Sequence, residues 1–205
     1  MLVLTGYDNE CLVSGVDHDI NLSPRKDHTN PRTVVNNDKE GFEISTSSTH
    51  TGLQSDKLHF ETKLSKIKVD IFRGDLTKLR FEAIVNAANG YLSHGSGVAK
   101  AIADAAGKDL TTECNHYVNV YGPLHVAECM HSTAGLLKNR VKFVIHAVGP
   151  KYKETKGPQE CQKILENTFL NCFIYGNDKL RVKSISVPAI SSGKKDRLLL
   201  VFGSN

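Results

Sequence analysis

Three short stretches combine amide, hydroxyl and very small residues: Asn86-Ala87-Ala88-Asn89-Gly90, His94-Gly95-Ser96-Gly97 and Pro188-Ala189-Ile190-Ser191-Ser192-Gly193. The first and third each follow an apolar run of strand character, and the second leads straight into an Ala-rich segment of helical spacing. Small residues let a ligand approach the backbone, and a helix N-terminus offers free N–H groups and a positive dipole. Together these are what a phosphate or pyrophosphate needs. Each stretch also has a plainer reading. A glycine-rich strand-to-helix turn is more often simply a tight turn, and Gly-Ser-Gly matches neither the P-loop nor the dinucleotide fingerprint. Asn after a strand is a common turn former. Asp75 presents a carboxylate to any nearby donor, and it equally suits the N-cap of a short turn over 76–79.

These residues need a scaffold, and from residue 66 the hydrophobic periods supply one. Ile67–Phe72 alternates apolar and polar residues, as a half-buried strand does. Ala83–Ala88 is a short apolar run, suited to a strand buried on both faces. Val98–Ala106 predicts a helix with Val98, Ile102 and Ala105 on one face, stopped by Gly107. A second helix is expected over Leu110–Val120, with Leu110, Cys114, Tyr117 and Val118 inward. Val126–Met130 and Phe143–Val148 read as strands, Cys161–Tyr175 as a helix closed by Gly176, and Ser184–Ala189 as a buried strand ending in a proline turn. Strands alternating with helices imply an α/β sandwich around a mixed, largely parallel sheet. In such sheets ligands sit at the carboxyl ends of the strands, where the three stretches fall.

Composition narrows the class. The 205 residues carry 26 Lys+Arg against 22 Asp+Glu, a net charge of +4, and 40% are hydrophobic. These are ordinary values for a globular chain. No apolar run approaches the roughly 20 residues of a membrane helix, and the first residues lack a signal-peptide core. Five cysteines without a C-x-x-C pair fit reduced thiols in an intracellular protein, cytoplasmic or nuclear, and argue against a disulfide frame or a zinc motif. The charge is unevenly spread. Residues 1–60 are net acidic at −4 and residues 61–205 net basic at +8. Residues 1–60, rich in Ser, Thr and Asn without long apolar periodicity, read as mostly unstructured. The alternative there is a small partner-binding segment around Leu2–Val13. The basic region has scattered lysines without interleaved aromatics, so a solvated surface is a better account than nucleic-acid binding.

Taken in order, Arg73-Gly74-Asp75-Leu76-Thr77, Ala83-Ile84-Val85-Asn86-Ala87-Ala88-Asn89, His94-Gly95-Ser96-Gly97-Val98-Ala99, Ile145-His146-Ala147-Val148-Gly149-Pro150 and Val187–Gly193 resemble the macrodomain family over about residues 64–193. The chain looks most like macrodomains within the larger mono-ADP-ribosyltransferase proteins of animals, and like viral ones. The resemblance implies a three-layer α/β/α sandwich, ADP-ribose as ligand, no cofactor or metal, and ADP-ribosylated proteins as partners, with other domains of a larger protein alongside. Many members hydrolyse ADP-ribose from modified proteins.

Carried onto this chain, the resemblance has Asp75 accept from the adenine amino group, beside Leu76. Ile84 and Val85 lie near the adenine end, though both also read simply as core. The backbone of Gly95, Ser96 and Gly97, with Val98, wraps the diphosphate and distal ribose. Ser191, Ser192 and Gly193 form the opposite phosphate wall. Asn89 matches the amide that contacts the distal ribose and is the one catalytic candidate. His94 flanks that ribose, or is only a surface histidine.

Three departures from the family pattern bear on function. Hydrolases of one subclass carry an aspartate just after the glycine loop, where this chain has Ala99, so two-carboxylate catalysis is not available. Viral members lack it too yet hydrolyse, with water positioned by the ligand's phosphate or a loop backbone group. The loop is also Gly-Ser-Gly where three glycines are usual, and a positive φ at Ser96 would cost roughly 1 kcal/mol. After Gly193 the family continues with a glycine-aromatic turn and further helix and strand elements. Here Lys194-Lys195-Asp196-Arg197 and Leu198-Leu199-Leu200-Val201-Phe202 follow. The two lysines are candidate phosphate cations, but 194–205 reads better as a divergent tail on a domain lacking its last elements, which predicts exposed apolar surface and poor solubility. The expected function is therefore a reader of ADP-ribosylation. A mono-ADP-ribosyl hydrolase is the alternative, and a nucleic-acid binder or a non-functional fragment of a larger transferase protein stands further behind.

Overall fold

The computed structural model describes residues 2–6, 57–61, 67–72 and 74–192, with side chains from Gly74 onward. Among the described residues seven strands form one mixed sheet: β1 (Leu2–Gly6), β2 (Lys57–Glu61), β3 (Ile67–Phe72), β4 (Ala83–Ala88), β5 (Cys129–Thr133), β6 (Phe143–Val148) and β7 (Ser184–Val187), in the order β2-β3-β1-β7-β4-β6-β5. β4 runs parallel to both β6 and β7, while β5 is antiparallel to β6 and β1 to β7. β3 is antiparallel to β1 and so points the same way as β4, β6 and β7. Four strands therefore end at one edge of the sheet. Their following loops begin at Gly74, Asn89, Gly149 and Pro188.

Helices cover both faces. α1 (Gly97–Ala106) and α2 (Lys108–Tyr121) pack on one side, where Ile84, Val144 and Val148 of the sheet meet Ile102, Ala106, Leu110 and Cys114. α3 (Pro158–Ile174) closes the other side, with Leu165 and Cys172 against Val85, Ile145 and Val187. Alternate residues of β4 and β6 thus face opposite cores, which is why these strands read as unbroken apolar runs. The architecture is the expected three-layer sandwich. No helix among the described residues is long and apolar enough to cross a membrane.

Several elements differ from their expectation. Segments 2–6 and 57–61, inside the stretch read as mostly unstructured, are strands, and the boundary drawn at residue 60 cuts through β2. β1 lies between β3 and β7, an insertion too short and too remote in sequence from its partners to show as a period. β5 begins three residues later than expected, because 125–128 forms a turn in which Glu128 Oε2 accepts the His125 N–H at 2.8 Å and Ala127 takes φ +67. The buried face of α1 is Ala99, Ile102 and Ala106, with Val98 38% exposed. Gly176 does not stop α3. The chain continues through a π turn over Tyr175–Lys179, and a Cβ on Gly176 would come within 2.3 Å of Ile185 Cδ1, so the glycine serves close helix–sheet packing. The C-terminal expectations, Gly193 and 194–205 included, lie outside the described residues.

Candidate functional site

Three of the loops at the common sheet edge meet in a cleft of about 290 Å³, lined by Gly74, Asp75, Leu76, Thr77, Val98, Ala101, Ile102, Pro188 and Ala189. The volume is at the low end for a small-molecule site. Its walls are mostly aliphatic, with one carboxylate and one hydroxyl to orient what enters.

Asp75 stands at the mouth, its side chain 46% exposed. One oxygen, Oδ1, caps the short 3₁₀ turn Leu76–Lys78 by accepting the Thr77 N–H at 3.0 Å and the Thr77 hydroxyl at 2.8 Å. The Thr77 hydroxyl, its backbone N–H and then Lys78 hold the carboxyl below its usual range, so it is ionised at neutral pH. A carboxylate offers about four lone-pair positions. Oδ2, with Lys78 Nζ at 3.5 Å, keeps capacity for an incoming donor. The cap reading of Asp75 thus holds through Oδ1, and it leaves Oδ2 at the mouth of the cleft.

The second wall is the start of α1. Ser96 is its N-cap with extended backbone at φ −160, while Gly97 takes φ +60. The left-handed position therefore falls on a glycine, and the serine in place of a third glycine introduces no strain. Ser96 makes no side-chain cap bond, and the first helical bond runs from Lys100 N–H to Ser96 O. The N–H groups of Gly97, Val98 and Ala99 precede that bond and face outward with the helix dipole behind them. Gly95, Ser96, Gly97 and Val98 are all exposed.

The third wall follows β7. Ser191 Oγ donates to Pro150 O at 2.7 Å and Ser192 Oγ to Ala189 O at 2.8 Å. Both hydroxyl protons are thereby committed to backbone acceptors. Ser191 sits at φ +58, a conformation costly for a residue with a Cβ. Gly149 explains how the loop closes down: a Cβ there would lie 2.4 Å from both Ile190 Cγ2 and Ser191 Oγ. Gly149→Ala is accordingly expected to lower stability by about 1–2 kcal/mol, because side chains rather than backbone must yield. Urea unfolding checks this. A change within 0.5 kcal/mol would mean that the loop adjusts freely.

The remaining expected residues are elsewhere. Asn89 is exposed and folds back on its own loop, with Nδ2 on Ser93 Oγ at 2.7 Å and Oδ1 accepting Ser93 N–H at 3.2 Å. Ile84 is fully buried in the core beneath α1 and does not line the cleft. His94 is half-buried, stacked on His146 with ring centroids 5.7 Å apart and 9° between planes, and burial lowers its pKa. His146 itself is fully buried and desolvation pushes it down to about 3, so it is neutral.

Sequence reasoning missed Ala101 and Ile102 as cleft residues, although they lie three and four positions after Val98 and so share its face. It also missed that Thr77, two residues after Asp75, is the donor that fixes the carboxylate.

A family model described as Macro domain matches residues 85–196. An uncharacterized protein of Sulfurisphaera tokodaii is 42% identical over 125 residues, 61% of this chain and 64% of that protein. One from Sulfolobus acidocaldarius is 43% identical over 132 residues, 64% of this chain and 68% of the relative. The chain thus spans about two thirds of the length of these relatives. Among solved structures, the Oceanobacillus iheyensis macrodomain with ADP superposes with a TM-score of 0.61 at 32% identity, covering 69% of this chain and 72% of the other. A glycine-to-valine mutant of that macrodomain with ADPR gives a TM-score of 0.54 at 37% identity, covering 58% and 63%.

Proposed function

Because the chain belongs to the macrodomain family, we propose that it binds ADP-ribose, free or attached to protein, in the cleft between the Asp75 turn, the start of α1 and the end of β7. One observation carries the reading. A single ionised carboxylate stands at the mouth of an aliphatic slot whose second wall is an uncapped helix N-terminus. The slot suits a flat base with an exocyclic amino group, which Asp75 Oδ2 accepts and a carbonyl edge would not satisfy. The diphosphate then runs over the free N–H groups of Gly97, Val98 and Ala99, where the helix dipole favours anions. At about 290 Å³ the slot takes one end of the ligand and leaves the distal ribose toward Asn89 and the 94–97 loop. The relatives with ADP and ADPR support this assignment.

The module reads the modification rather than removing it. Ala99 offers no base, and the Asn89 amide is engaged with Ser93. On this reading its targets are mono-ADP-ribosylated proteins of the cytoplasm or nucleus, and it works beside other domains of a transferase-type protein.

Calorimetry with ADP-ribose, ADP, AMP and a single-stranded RNA tests the proposal. ADP-ribose is expected to bind most tightly, ADP detectably and RNA not at all. RNA binding tighter than ADP-ribose, or no heat with ADP-ribose, would overturn it. Incubation with a mono-ADP-ribosylated protein is expected to release no ADP-ribose. Release abolished by Asn89→Ala would assign hydrolase activity instead.

A further inference from the structure

Behind the loop that leads into α1, three donors from three different elements converge. His94 on the loop, Cys114 on α2 and His146 on β6 each bring one metal-ligating atom, and these atoms lie within 4.8 Å of one another. Cys114 Sγ is 3.5 Å from His146 Nε2. Zinc bonds of about 2.0–2.1 Å to nitrogen and 2.3 Å to sulfur place tetrahedral N and S neighbours about 3.6 Å apart. That pair is therefore already at ligand spacing. His94, on a loop whose neighbours Ser93 and Gly95 are exposed, needs a shift of about 1 Å to complete the set.

Unpaired polar atoms mark the same spot. Both ring nitrogens of His94 and the carbonyl Oδ1 of Asn86 are buried without a hydrogen-bond partner. Buried imidazole nitrogens are normally paired, and His94 leaves a donor and an acceptor idle. The Asn86 amide nitrogen lies 3.0 Å from His146 Nδ1 and can only donate, so Nδ1 accepts and Nε2 carries the proton, directed to Ser132 Oγ at 2.9 Å. Half a turn of the Asn86 amide reverses this. Oδ1 then accepts an Nδ1 proton, and the Nε2 lone pair points toward Cys114. A carbonyl holding the outer nitrogen of a ligating imidazole is the usual support of such a site.

We propose that His94, Cys114 and His146 form a binding site for a divalent ion of zinc's class, with the Ser132 hydroxyl or a water as fourth donor. Two imidazoles and a thiol select a borderline-soft ion over magnesium or calcium. Cys114 binds as thiolate, its proton leaving to solvent as the Zn–S bond forms. Without metal, burial pushes this thiol up to about 12, so it stays protonated and inert. Binding would tie the 94–97 loop to α2 and β6, and so fix the N-terminal end of α1.

The test uses the whole chain, stripped with EDTA and titrated with cobalt(II), then zinc. The expected result is one equivalent of cobalt with tetrahedral ligand-field bands and a thiolate charge-transfer band, all displaced by zinc. Loss of a supporting residue already costs metal sites about 10–100-fold, so His94→Ala is expected to weaken zinc binding by about 100-fold or more. Cys114→Ala removes the charge-transfer band. Should Cys114→Ala fail to fold, His94→Ala decides, because that loop residue is not part of the apolar core. A titration without a charge-transfer band, or equal affinity in parent and His94→Ala, would overturn the site and assign the metal to surface histidines such as His116. The readout does not involve ADP-ribose, so it stands or falls independently of the binding function.

Discussion

Gly135→Ala is expected to destabilise the fold by about 3 kcal/mol, the largest effect expected of a methyl added to any glycine among the described residues. Gly135 opens a 3₁₀ turn over Gly135–Leu137 at φ +52, and a Cβ there would lie 2.1 Å from Ala106 O and 3.0 Å from Ala106 C. Both atoms belong to backbone, so no rotamer change relieves the clash. The left-handed conformation alone costs a residue with a Cβ about 1–2 kcal/mol, and overpacking adds about 1–3. The turn cannot drift outward cheaply, since Leu137 is buried in the core and Gly135 N–H bonds Thr133 Oγ1 at 3.2 Å. Ala106 is the last residue of α1, and the other end of that helix lines the cleft. Ligand affinity should therefore fall with stability, unlike a purely distal change. Urea unfolding measures the first quantity and calorimetry the second. A stability loss below about 1 kcal/mol would show that the 134–138 segment yields without strain.

The contrast with Gly149 separates two ways in which a glycine matters. At Gly149 the atoms in the way are side-chain tips, Ile190 Cγ2 and Ser191 Oγ, whereas at Gly135 they are main chain. Neither distinction can be read from sequence, where both are simply glycines after a strand. What was legible is the set of elements whose burial is local in origin. β4 and β6 begin and end where the continuous apolar runs do, because a strand flanked by two cores needs apolar residues on both faces, and β3 spans its alternating run. β5 lies three residues later than expected because 125–128 folds into a turn and because the strand ends in polar residues, of which Ser132 is buried and bonds His146 at 2.9 Å. β1 was missed because its pairing with β3 and β7 is a property of distant segments and leaves no local period.

The candidate site divides in the same way. The hydroxyl-rich and glycine-rich loops announce themselves by composition, and the structure brings the Asp75 turn, the start of α1 and the end of β7 to one cleft. Its floor was hidden, since Ala101 and Ile102 on an Ala-rich helix look like any core face. Ser191 and Ser192 looked like phosphate donors, but their protons are spent on Pro150 and Ala189 carbonyls. The buried Asn86–His146–Ser132 chain was equally hidden. Each member sits inside a strand whose apolar neighbours dominate the pattern, and only the cross-strand register of β4, β6 and β5 makes them partners.

Asp75→Ala is expected to weaken ADP-ribose binding by about 10–100-fold, with a much smaller effect on folding. A hydrogen bond to a charged acceptor contributes about 1.5–3 kcal/mol, and each 1.4 kcal/mol is tenfold in affinity. The same substitution removes the cap on a three-residue turn, for which about 1 kcal/mol of stability is the usual cost. Asp75→Asn separates the two roles. Its amide oxygen still accepts from the Thr77 N–H and hydroxyl, so stability should stay near the parent value, while the amide nitrogen takes the Oδ2 position and meets the adenine amino group donor to donor. A hypoxanthine analogue of ADP-ribose carries a carbonyl where adenine has its amino group. Against Asp75 that carbonyl meets a carboxylate and should bind about as weakly as ADP-ribose binds Asp75→Ala. Against Asp75→Asn the amide nitrogen, with its oxygen held on Thr77, donates to that carbonyl, so the preference between the two ligands should narrow or reverse. Calorimetry with both ligands on all three proteins reads the whole cycle. Unchanged affinity for ADP-ribose in Asp75→Ala would remove the carboxylate from the binding site and leave it as a helix cap alone.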